Sequence, residues 1–246
     1  MNLRRWGSML RRKRMLVSIH IPKTGGTTFN EILRANFRKV LAISGQQGIL
    51  DFLRMSSAER SSYAATAGHM PFGIHRYVTV PCEYIVFLRE PVDHTISGYY
   101  YMRRTPSNPQ YERGRTMSLR EYVESAVWPI NDNMQTRWLS DLDWAEAAHR
   151  GPSGMECSSP CSREHLRQAQ ANLDRCDFVG LFDRFEESVR LCCERFHLTC
   201  TTISRLNATV ERPAVVDVDP EVVAVIRERR RFDIELYESA ARRCAR

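Results

Sequence analysis

The chain has 246 residues, 43% of them hydrophobic and 26% charged, with a formal net charge of +7. These are the proportions of an ordinary water-soluble globular protein, long enough to bury one large core. No stretch approaches the roughly 20 apolar residues of a membrane-spanning helix, which excludes that class. The positive charge suits an anionic partner, but most arginines on any protein are simply solvated, so charge alone does not separate polysaccharide from nucleic acid.

The first fourteen residues, MNLRRWGSMLRRKR, form a basic tail without an apolar run of secretory-signal length. With Trp6, Met9 and Leu10 it could touch an anionic membrane surface. Residues 15–246 read as a single domain. It opens with MLVSIHIPKTGGTTFNEIL, a buried strand from Met15 to Ile19, a short loop, and a helix with Phe29, Ile32, Leu33 and Phe37 on one face.

Between strand and helix, Gly25 and Gly26 would let the backbone approach a ligand with its N–H groups inward. The helix N-terminus adds partial positive charge and Lys23 a full one, while Thr24, Thr27 and Thr28 supply further donors. This pattern suits a phosphate-like anion. It is not a Walker A loop, which places its lysine after the second glycine; here Lys23 precedes both, and the loop is too short to wrap a triphosphate.

A second strand is expected around Val40 to Ile43, a helix over 49–66, and a strand end from Ala67 to His69. Residues 83–88 form the next clear strand. It ends in Arg89 and enters a helix through Pro91, with Val92, Ile96 and Tyr99 as its apolar stripe. In a nucleotide triphosphatase this neighbouring strand usually ends in Asp, to manage magnesium; Arg89 instead suggests direct contact with an anion. Residues 105–117 read as a loop, and Ser118 with Glu121 as a capping box opening a helix to about Val127.

Residues 131–148 look helical and 149–162 irregular. A helix from Arg163 to Leu173, a strand from Phe178 to Leu181 and a helix over 184–196 follow. Asp219-Pro220 opens one long final helix, with Val222, Val225, Ile226, Phe232 and Leu236 inward. Alternating strands and helices predict an α/β fold with a mainly parallel sheet covered on both faces. Lys23, His69 and Arg89 then fall beyond the carboxyl ends of its strands, where ligands bind.

HIPKTGGTTF together with FLREPVDHTISGYYY resembles the paired cofactor motifs of the carbohydrate O-sulfotransferases, in the branch related to the heparan sulfate enzymes. AGHMPFG (67–73), DNMQTRWLS (132–140), DFVGLFDRFEESVRL (177–191) and DIELYESA (233–240) are similar to further segments of that family. The resemblance implies a P-loop-like central parallel sheet and 3′-phosphoadenosine 5′-phosphosulfate (PAPS) as sulfuryl donor, with no metal required. Lys23, Thr24, Gly25, Gly26, Thr27 and Thr28 would hold its 5′-phosphosulfate, and Arg89 and Ser97 its 3′-phosphate. His69 would be the catalytic base and Lys23 would stabilise the leaving phosphate. The acceptor would carry a hydroxyl, most simply on a carbohydrate, with no nucleic acid partner. Eukaryotic relatives typically have a Golgi membrane anchor; its absence here implies a soluble, cytoplasmic protein.

His20 is expected to orient the loop or pack beneath it. Asn133, Gln135 and Arg137 are candidate contacts to cofactor or acceptor, and Glu90 and Asp93 are expected to be structural. Of the eight cysteines, Cys82, Cys176, Cys192, Cys193 and Cys200 read as free thiols in apolar segments. Cys157 and Cys161, in a polar loop near His149 and His165, suggest a local disulfide or, less well, zinc. The sequon at Asn207 matters only in a secreted protein. The competing functions are a P-loop small-molecule kinase, a non-catalytic binder of an anionic polysaccharide, and a nucleic-acid binder.

Overall fold

The computed structural model describes residues 14–108, 110–125, 132–144, 159–200 and 212–244. Five strands, β1 (Met15–Ile19), β2 (Val40–Ser44), β3 (Ala65–His69), β4 (Cys82–Leu88) and β5 (Phe178–Leu181), pair in parallel in the order β2-β3-β1-β4-β5. Side chains alternate across the sheet, as the two-residue period of a strand requires. Met15, Val17 and Ile19 of β1 join Val86 and Leu88 of β4 in one core cluster, whereas Leu16 joins Ile85 and Phe87 in another.

Helices cover both faces, as the alternating pattern predicts. α1 (Gly26–Asn36) contributes Phe29, Ile32 and Leu33 to the second cluster, beside Phe185 and Val189 of α9 (Phe185–Phe196). On the other face lie α2 (Gly45–Arg54), α7 (Met134–Leu139), α8 (Arg163–Asp174) and α11 (Arg231–Cys244). A third cluster, including Ile96, Tyr99, Tyr122 and Ile226, joins α4 (Pro91–Arg104), α6 (Leu119–Glu124) and α10 (Pro220–Arg229).

The strand order sets where a ligand can sit. The chain leaves β1 toward β2 on one side and leaves β4 toward β5 on the other. Their carboxyl ends therefore flank a crevice at the point where the order reverses. Lys23 follows β1 and Arg89 follows β4, so the two motifs meet there.

Four elements differ from expectation. The helix expected over 131–148 ends at Leu139 as α7, with residues 140–143 outside any helix. The helix expected over 49–66 stops at Arg54; a four-residue turn, α3 (Ser57–Arg60), restarts with Ser56 as its cap, and Ala65 and Thr66 belong to β3. Arg60 fixes the break by donating to the carbonyls of Met55 and Leu53. The expected loop at 105–117 contains α5 (Tyr111–Thr116), where the bare face of Gly114 meets the Met102 side chain. The expected long last helix is two, broken at Arg230.

That break has a physical cause. The Asn133 Oδ1 accepts from the amides of Phe232 and Asp233, at 3.0 and 3.1 Å, capping the start of α11. Asp233 reciprocates, accepting from the amides of Thr136 (2.7 Å) and Gln135 (3.3 Å) at the start of α7. Each helix thus supplies the cap the other lacks. Residues 1–13, 109, 126–131, 145–158, 201–211 and 245–246 lie outside the described residues, and with them the basic tail (Arg14 excepted), Cys157, His149, the sequon and most of the expected irregular insertion.

Candidate active site

The loop between β1 and α1 is held from beneath. His94 Nε2 donates to the Pro22 carbonyl at 2.8 Å, Arg89 Nη1 to the Lys23 carbonyl at 2.7 Å, and Thr24 Oγ1 to the Ile21 carbonyl at 2.8 Å. The successive carbonyls of Ile21, Pro22 and Lys23 are therefore all satisfied by the protein. Lys23 takes a left-handed conformation (φ 68°), as does Gly25 (φ 87°). The start of α1 has no side-chain cap and no acid in its first turn. An uncapped helix N-terminus of this kind favours an anion.

The two glycines are explained by packing as well as by access. A Cβ on Gly25 would lie 2.3 Å from the Phe185 ring, and one on Gly26 would lie 1.9 Å from the His20 ring. Thr24 and Thr28 are buried, and Thr27 is exposed at the head of the helix.

Burial, reinforced by Arg89, Arg104 and Arg212, lowers the Lys23 ammonium to about 8. Its Nζ sits 4.1 Å above the Tyr101 ring. Arg89 is 4% exposed. Its Nε donates to Asp93 at 2.7 Å, its guanidinium lies 4.1 Å over the Phe182 ring, and Gln135 holds its backbone at both N–H and C=O. Arg212 pairs with the other Asp93 oxygen at 2.6 Å. Burial opposes ionisation of Asp93, but the two guanidiniums outweigh it and hold the carboxyl below its usual range. Ser97 is fully buried, and its hydroxyl finds no hydrogen-bond partner among the described residues. Such an orphan calls for an explanation, and a ligand oxygen is one.

His69 ends β3 with Nδ1 3.0 Å from the His20 carbonyl. A carbonyl only accepts, so Nδ1 carries the proton and Nε2 keeps its lone pair when the ring is neutral. Burial lowers the pKa of His69, favouring that neutral ring. The His20 ring lies 4.3 Å away and accepts at Nδ1 from Asn30 at 3.2 Å. Burial, with His69 and Lys23 beside it, takes His20 down to about 3. His20 therefore packs beneath the loop, as the sequence suggests, and supports His69 through its carbonyl.

Of the other candidates, Asn133 and Gln135 act as a helix cap and as a clamp on Arg89, and Arg137 is buried against Asp132 at 2.9 Å. All three are used inside the fold. Glu90 caps α4 by accepting from the Asp93 amide. His165 closes a capping box with Ser162, and Cys161 is a free thiol pushed up to about 12 by burial. Cys82, Cys176, Cys192, Cys193 and Cys200 are free as expected. Sequence reasoning missed Asn30, Tyr101, Arg104, Arg212 and Arg230. Only Asn30 and the α4 residues sit at helical spacing from a recognised motif, so only they left a local signal.

A small cleft of about 30 Å³ adjoins the loop, bounded by Lys23, Thr95, Gly98, Tyr122, Arg230 and Asp233 among others. No helix among the described residues is long and apolar enough to cross a membrane.

Residues 6–238 match the model of a family described as the sulfotransferase family. The chain is 27% identical over 274 aligned positions to heparan-sulfate 6-O-sulfotransferase 2 of Danio rerio, covering 92% of this chain and 57% of that protein. It is 12% identical to mouse sulfotransferase SULT7A1, whose crystal structure is complexed with PAP; the superposition covers 88% of this chain and 63% of that one, with a TM-score of 0.43. The chain thus spans less than two thirds of the length of either relative.

Proposed function

The chain belongs to the sulfotransferase family, and from that premise we propose that it moves a sulfuryl group from PAPS to a hydroxyl of an acceptor, most simply a carbohydrate. The observation that carries this reading is the meeting of Lys23, the uncapped start of α1 and His69, whose burial favours the neutral ring, at the mouth of the β1/β4 crevice. The residues present fit a nucleotide with phosphates at both ends. Arg89, Arg104 and Arg212 add to Lys23 around a single paired carboxylate, Asp93, and Ser97 brings an unsatisfied hydroxyl. The carbohydrate acceptor is supported by the likeness to the heparan-sulfate enzyme.

When bound, PAPS supplies an activated sulfuryl group on a phosphate that can leave. Lys23, Gly25 to Thr28 and the α1 amides hold the 5′ end, and Arg89 and Ser97 the 3′-phosphate. Lys23 offsets the charge that grows on the departing oxygen, a preorganised electrostatic contribution. His69 takes the acceptor proton at Nε2, the nitrogen that the His20 carbonyl leaves free. Thr24 shapes the loop through its bond to Ile21, since its hydroxyl proton is already donated inward.

The test is transfer of label from radiolabelled PAPS to a panel of hydroxyl-bearing sugars, with and without excess EDTA. Label should reach sugar in both conditions, and ATP should not replace PAPS. Magnesium-dependent ATP turnover without sulfuryl transfer would favour a kinase instead. Arg89→Ala should weaken 3′-phosphoadenosine 5′-phosphate by about ten- to a hundredfold, the worth of a charge-assisted contact of about 1.5–3 kcal/mol. Adenosine 5′-phosphate serves as the control, because both nucleotides feel the lost support of the Lys23 carbonyl equally. Equal losses would remove Arg89 from the 3′-phosphate.

A further inference from the structure

We propose that Arg230 is an anion ligand: with Lys23 it forms an oxyanion position in the cleft between α4, α6 and the junction of α10 and α11. The ligand group is a phosphate, sulfate or carboxylate. This deepens the sulfotransferase reading, which it needs only to name the molecule that carries the anion.

Arg230 is 7% exposed, yet its side chain makes no hydrogen bond or ion pair with any described residue. Only its backbone is engaged, donating to the Ile226 carbonyl and accepting from the Ile234 amide. A guanidinium carries five N–H donors and stays charged, so burying it with none of them hydrogen-bonded is costly. The groups that act on it are Tyr122, a phenol that carries no charge at neutral pH, and two carboxylates already committed elsewhere. Asp233 serves the amides of Gln135 and Thr136, and Asp132 serves Arg137 and the Cys161 amide. What Arg230 does line is the cleft, together with Lys23, Thr95, Gly98, Tyr122 and Asp233. Gly98 keeps that wall low, since a Cβ there would lie 3.2 Å from the Tyr122 hydroxyl.

The break between the last two helices puts Arg230 at this spot. Asn133 holds the amides of Phe232 and Asp233, two and three residues on, and Arg230 is buried at the junction between the helices. Two cations face one cleft, its single acid Asp233 is spent on the amides of Gln135 and Thr136, and the Arg230 donors lack hydrogen bonds, which together suit an oxyanion. The anion has two chemical sources, the second phosphate of the donor or an acid group of the acceptor.

The experiment uses the full chain, with Arg230→Met to remove the charge and Arg230→Lys to restore it. Calorimetry compares sodium sulfate (ionic strength matched with chloride), 3′-phosphoadenosine 5′-phosphate, adenosine 5′-phosphate, and glucose 6-sulfate against glucose. Arg230→Met should lose about ten- to a hundredfold in affinity for at least one of these anions, and Arg230→Lys should recover most of it. A loss confined to the bisphosphate assigns the position to the donor; a loss confined to sulfate and glucose 6-sulfate assigns it to the acceptor. In the wild type, the Arg230 Nε–H resonance should move on titration with sulfate or the bisphosphate, a readout that survives even if Arg230→Met does not fold. A resonance that stays put at saturation of both, or unchanged affinities in a folded Arg230→Met, overturns the proposal. Absence of PAPS-dependent transfer would sink the functional reading while leaving the sulfate arm readable.

Discussion

Gly26→Ala adds one methyl group where the loop, the first helix and the two histidines meet. The new Cβ would fall 1.9 Å from His20 Cδ2 and 2.3 Å from Cγ, whereas ordinary contact begins at 3.4 Å. The ring must therefore retreat by about 1.5 Å (3.4 − 1.9). It has little room to do so: it is 7% exposed, bonded to Asn30 at 3.2 Å and faces His69 at 4.3 Å. Overpacking of this kind costs about 1–3 kcal/mol, and the better helix propensity of Ala returns at most about 1 kcal/mol. The effect on turnover should exceed the effect on stability, because the His20 carbonyl sets the His69 tautomer, and misplacing a reacting group by about 1 Å can cost about a hundredfold. Gly48→Ala, in α2, is the control: its Cβ would meet the Ile43 backbone at an ordinary 3.4 Å, so activity should hold and stability should rise slightly. Urea melts and PAPS-dependent turnover on both variants decide the matter. Wild-type turnover in Gly26→Ala would refute the coupling between loop packing and His69.

The remaining predictions concern single groups. His69→Ala should leave nucleotide affinity nearly intact and cut turnover by about a hundred- to ten-thousandfold; near-normal turnover would make His69 structural, with His20 and His94 the next bases to examine. Because burial lowers the pKa of His69, the rising limb of the wild-type pH–rate profile should lie below the free-imidazole value of about 6.5 and vanish in the variant. Lys23 loses its charge as pH rises through about 8, so bisphosphate affinity measured by calorimetry should fall above that pH, and Lys23→Met should be weaker and lack the break. Burial raises Asp233 to about 6 in the folded chain, above its ordinary 3.8. A raised carboxyl gives stability that is full below the unfolded pKa and lost as pH rises through the folded one. Relative to wild type, Asp233→Asn should therefore gain stability between pH 4 and pH 7, by up to about 3 kcal/mol. Parallel melting curves at the two pH values would refute it.

What the sequence made legible is what local periodicity and short motifs encode. Met15 to Ile19 and Ile85 to Leu88 read as strands because each apolar run ends at a loop, and those loops carry Lys23 and Arg89. The capping box at Ser118 and the proline at position 91 fixed helix starts for the same reason. Long-range partners left no such trace. Asn133 and Asp233 cap one another's helices across 100 residues, so the sequence showed neither the break at Arg230 nor the direction its side chain would take. Arg89 read as an anion ligand from its place at the end of a strand, and nothing local announced that Asp93 and the Lys23 carbonyl also claim it.

The glycines show how one residue choice can carry two causes. Gly25 and Gly26 read as openings for a ligand, yet their bare faces meet Phe185 and His20 inside the protein. The two roles are compatible because packing uses the bare Cα faces, whereas an anion would use the backbone N–H groups. Close packing beneath, together with the carbonyl bonds from Arg89, His94 and Thr24, fixes the chain from the inner side. Only then do the first amides of α1, which no side chain caps, remain for an anion at the mouth of the crevice. The loop can present those amides because the protein has already used up its other half.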